Sequence, residues 1–105
     1  MRVTLLLAVC LAACAADPCA RAEQTTVDFP AKIRACQAIA PPVFDATTCK
    51  ASLATCTPAD EAAIASYFDC LDKLPVCTVA SDFTAAVLAC DNHMSALSAG
   101  CFSQP

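Results

Sequence analysis

Residues 57–77 read TPADEAAIASYFDCLDKLPVC, and this stretch decides the fold class. Thr57 offers a capping hydroxyl, Pro58 suits a first helical turn, and Asp60 and Glu61 put carboxylates at the positive end of a helix dipole. Ile64, Phe68, Leu71 and Leu74 then recur at three- and four-residue intervals, with Cys70 beside that stripe and Tyr67 at its boundary. Pro75 ends the run. A helix that carries one cysteine near its buried side and meets a second, Cys77, just beyond its end is the expected local unit.

The same reading extends in both directions. Cys49, Leu53 and Cys56 fall at i, i+4 and i+7, which predicts a helix beginning near Asp45 to Thr48. Downstream, Phe83, Val87, Cys90, Met94 and Leu97 predict an amphipathic helix from about Ser81 to Ala99. Gly100, the only glycine, stands where a left-handed residue ends a helix, and Cys101 follows to tie down the terminus. Upstream, Asp28, Phe29 and Pro30 open a helical stretch reaching about Ala40, with Pro30 in its first turn and Pro41-Pro42 after it. Residues 15–27 show little periodicity and read as a tether pinned by Cys19. The expectation is an all-α, four-helix, disulfide-stapled domain over residues 28–105, preceded by a tether over 14–27 and a leader over 1–13. Cys49-x6-Cys56-Thr57 recurs as Cys70-x6-Cys77-Thr78, a weak echo of duplicated helix-and-turn units.

Composition agrees with this outline. Ten cysteines in 105 residues approach the density of disulfide scaffolds, which points to an oxidising compartment. Of the 58% hydrophobic residues, many are Ala and Cys; six residues are aromatic and none is Trp, so the core is fine-grained. One Gly leaves few sites for hairpin turns, whereas Ala favours helix. A net charge of −4 without a basic stripe excludes a nucleic-acid partner.

Met1 and Arg2 precede the apolar run Val3 to Val9, which is signal-peptide grammar and too short for a permanent membrane span. Leu11-Ala12-Ala13-Cys14 resembles the bacterial lipobox. That resemblance implies cleavage before Cys14 and lipid on its sulfur, giving an outer-membrane lipoprotein anchored to the bilayer by acyl chains. Each buried methylene contributes about 0.8 kcal/mol, so two or three chains hold where one is marginal. The alternative is an ordinary secretory leader cut near Ala16, which gives a secreted protein. Leu7-Ala8-Val9-Cys10 is discounted because Val occupies a position that requires a small residue. Loss of Cys10 and lipidation of Cys14 leave Cys19, Cys36, Cys49, Cys56, Cys70, Cys77, Cys90 and Cys101. This even set makes four bridges, and sequence alone leaves the choice among roughly a hundred pairings open.

No constellation for catalysis, cofactor binding or metal binding stands out. No two cysteines are separated by fewer than three residues, so the C-x-x-C of thiol oxidoreductases is missing from the sequence, and the nearest pair, Cys10 and Cys14, lies in the leader. His93 is the sole histidine and reads as a solvated helix-face residue; with Asp91 and Met94 it makes a poor copper or nickel site. Asp69, Asp72, Asp60 and Glu61 read as capping and solubilising groups.

The run from Cys49 to Cys101, with its C-x6-C-T units, resembles the small Ala- and Cys-rich lipoproteins and secreted proteins of myxobacteria. That resemblance implies export and a helical fold and carries over no site residue. The leading functional expectation is a non-enzymatic, lipid-anchored envelope protein with an interaction or structural role toward an envelope or extracellular protein. The alternative is a helical binding module for a small apolar ligand.

Overall fold

The computed structural model describes residues 17–40 and 42–102. The leader and Cys14 lie outside the described residues. Among the described residues there are four α-helices: α1 (Pro18–Ile33), α2 (Ala46–Leu53), α3 (Pro58–Asp72) and α4 (Ala80–Asp91), the last running into a 3-10 turn at Asn92–Met94. No strand occurs among the described residues. The all-α, four-helix expectation therefore holds.

The first helix differs from its expected bounds. Residues 18–27 are helical rather than a tether, and Pro30 lies inside α1 rather than at its start. Asp17 caps this helix by accepting from the Ala20 N–H at 3.2 Å, and Pro18 takes the first position, where a missing N–H costs nothing. Pro30 is buried in the last turn, so the backbone hydrogen bond it forfeits lies near an end that would fray in any case. Beyond Ile33 the chain makes a turn and then extends, instead of remaining helical to Ala40.

α3 begins as its sequence predicts. Thr57 Oγ1 accepts from the Asp60 N–H at 3.2 Å, and the Asp60 carboxylate accepts from the Thr57 N–H at 2.9 Å, a complete capping box. The core forms around this helix: Ile64 and Cys90 are wholly buried, with Phe68, Leu71 and Cys101 against them. Full burial of a side chain the size of Ile64 contributes about 1.5–3 kcal/mol. α1 packs chiefly on α3. There Arg21 Nη2 pairs with Asp69 at 2.7 Å and Asp72 at 3.1 Å, and Lys32 Nζ donates to the Leu71 and Asp72 carbonyls at the end of α3. A cation at that negative helix end gives the carbonyls of the last turn a charged donor.

The fourth helix is shorter than its periodicity predicts. Asp91, Asn92 and His93 are weak helix formers, and beyond Met94 the chain turns. Ser98 then binds Asp60 Oδ1 through its N–H (2.9 Å) and its hydroxyl (3.2 Å), drawing the tail across the start of α3. Met94 and Leu97 still pack against the core, but from this turning segment. Gly100, at φ +90°, therefore serves a turn in the tail rather than the end of a long helix. A Cβ there would also meet Thr55 Oγ1 at 3.1 Å.

All eight expected cysteines are paired: Cys19–Cys49, Cys36–Cys77, Cys56–Cys101 and Cys70–Cys90, with Cα separations between 4.7 and 5.9 Å. They fasten α1 to α2, the segment after α1 to the α3–α4 loop, the tail to the start of α3, and α3 to α4. The C-x6-C echo has a structural counterpart in its first half: Cys49 and Cys70 lie on helices, and Cys56 and Cys77 in the loops that follow. Only one copy leads into a side-chain cap, because α4 starts at Val79 without one.

Candidate functional site

The packing of α1, α3 and α4 leaves an open groove of about 610 Å³, within the range of about 300–1,000 Å³ typical of small-molecule sites. α1 contributes Ala22, Thr25, Thr26 and Phe29, spaced to share one helical face. α3 contributes Tyr67, Phe68 and Leu71, and Val87 and Asp91 come from one face of α4. Met94, Ile39 and Phe102 complete the wall from the turn, the post-α1 segment and the tail. Small side chains on α1 leave the space open. The bridges Cys70–Cys90, Cys36–Cys77 and Cys56–Cys101 fix the elements that bear the opposite walls.

The wall is predominantly apolar, and its polar side chains are few. Thr25 Oγ1 donates to the Arg21 carbonyl at 2.8 Å, and Thr26 Oγ1 to the Glu23 carbonyl at 2.6 Å. Burial pushes the Tyr67 hydroxyl above its ordinary pKa, and the neighbouring Asp91 carboxylate adds to the shift. The Arg21 guanidinium sits 6.0 Å from the Phe68 ring centroid, and its hydrogen bond to Asp69 leads the causes that hold it fully protonated.

Cys56, Asp60 and Cys101 bring three potential ligand atoms within 4.8 Å of one another. The two sulfurs are joined to each other, and the Asp60 oxygens accept from Thr57 and Ser98. That donor set offers no thiolate, and a hydrogen-bonded cap accounts for it. His93 is exposed in the 3-10 turn. Its neighbour Met94 faces the groove, and Asp91 does too, a role the sequence reading did not assign.

The groove residues of α1 were hidden because the stripe is built from Ala and Thr, which hydropathy does not register. The spacing Ala22-x2-Thr25-Thr26-x2-Phe29, behind an Asp17-Pro18 start like Thr57-Pro58, is the signal that reveals it.

Four disulfides fit an oxidising, extracytoplasmic location, and no described helix is long and apolar enough to cross a membrane. Comparison with known protein families, curated proteins and solved structures returns no match.

Proposed function

We propose that this chain is an exported, non-enzymatic binding module, held at the cell envelope by lipid on Cys14, whose groove takes a small apolar ligand. The groove between α1, α3 and α4 carries the reading: it has the volume of a small-molecule site, an apolar wall, and disulfides that stiffen its sides. Stiff walls favour binding because less freedom is lost when the ligand enters. The anchor rests on Leu11-Ala12-Ala13-Cys14 and would present the groove at the surface of the outer membrane.

Two experiments test the two halves of this proposal. Titration of the oxidised protein with decanol, followed by amide chemical shifts, should move resonances of Ala22, Thr25, Tyr67 and Met94 together and saturably. Shifts that are absent, or scattered over α2 and the α3–α4 loop, refute the groove. Cys14→Ser should abolish palmitate labelling and release the protein from salt-washed membranes. Retention of the variant, or secretion of an unlipidated wild type, refutes the anchor.

A further inference from the structure

We infer that the ligand of this groove is an amphiphile with an apolar chain and a hydrogen-bond-donating, cationic head, such as a primary amine, seated at Asp91 and Tyr67. This rests on the groove being a small-molecule site and concerns which chemistry it selects.

The polar side chains along the wall are Thr25, Thr26, Tyr67 and Asp91. Both threonine hydroxyls spend their protons on backbone carbonyls of α1, and Asp91 lies with Tyr67 on the wall. The two threonines therefore present lone pairs to a ligand, and Asp91 adds a negative charge. Pro30 and Pro42, also on the wall, bring no backbone donor.

The nearby cations are already engaged. Arg21 is held between Asp69 and Asp72, a cluster whose net charge is negative, and Lys32 is turned onto the Leu71 and Asp72 carbonyls. An anionic head such as a carboxylate would meet acceptors and a like charge. A protonated amine would meet an ion-pair partner and several acceptors, while its chain lies along Phe29, Phe68, Leu71 and Val87. Asp91 stands at the end of α4, near the negative pole of that helix, which further favours a cation.

The chain provides its own reporter. Tyr67 is the only tyrosine and there is no tryptophan, so tyrosine emission arises from the groove alone. Decylamine, decanol and decanoate, each titrated below its micelle concentration, share a chain and differ in the head. The expected order of affinity is decylamine, then decanol, then decanoate. The amine should gain roughly fivefold over the alcohol, the upper end for a solvent-accessible ion pair. Asp91→Asn should bring decylamine down to the decanol level and leave decanol unchanged. Asp82→Asn, the same charge change away from the groove, should preserve the ranking. Equal binding of all three probes, tightest binding of decanoate, or equal loss of amine affinity in both variants overturns the inference while leaving the groove standing. Failure of every probe to perturb Tyr67 removes the groove itself.

Discussion

Replacing Cys56 and Cys101 together by Ala isolates the contribution of the bridge that ties the tail to α3. Its loop spans a sequence separation of 45, but in the unfolded chain the Cys70–Cys90 bridge provides a shorter covalent circuit of about 26 residues. The chain-entropy relation then gives about 3.5 kcal/mol, against about 4 kcal/mol for the uninterrupted loop. Ala leaves little empty volume and no polar atom unpaired, so most of the loss is this restored freedom. For a domain of this size the shift in Tm is on the order of 15–25 °C. Thermal melts followed by circular dichroism, with the other three bridges confirmed by peptide mapping, provide the assay. A drop below about 5 °C would refute the claim that the tail bridge is a principal source of stability.

Three other outcomes follow from the core and the cap. Ile64→Ala should lose about 2–5 kcal/mol because Ile64 is wholly buried, whereas Ile64→Val should lose about 1 kcal/mol; denaturant unfolding measures both. The Asp60 carboxyl is held below its ordinary 3.8, first by the Thr57 N–H and then by Ser98. With the folded value depressed, its stabilising contribution is complete above 3.8 and disappears as pH falls through the folded value. Asp60→Asn should therefore melt lower than wild type at neutral pH, and its Tm should fall less between neutrality and about pH 2. Identical pH profiles for the two proteins would show that the cap contributes nothing through charge.

The parts of the fold legible in the sequence are those where several local signals coincide. α3 has a cap, a first-turn proline, an acidic first turn and a large-residue stripe, and these place its start. α1 carries a comparable start, Asp17-Pro18, but its inward face is Cys19, Ala22, Thr26 and Phe29, and Pro30 invites a start that tertiary packing overrides. In α4 the apolar period continues through Met94 and Leu97, yet Asp91, Asn92 and His93 favour helix weakly and Asp60 holds Ser98 across the start of α3. No local pattern encodes that long-range contact. The cysteine count fixed the number of bridges, while their pairing depended on which helices meet. The groove was the least legible feature, since it arises where Ala and Thr leave space rather than where any motif announces itself.

Whether disulfide-fixed helices hold open a groove that binds an apolar ligand is decided by one titration. Decanol is added to the oxidised protein, Tyr67 emission is followed, and the titration is repeated after full reduction with dithiothreitol. Binding to the oxidised protein should be saturable and one-to-one and should be lost on reduction, because the short helices are marginal without the bridges. Absence of saturable binding to the oxidised protein, or binding that survives reduction unchanged, would contradict it.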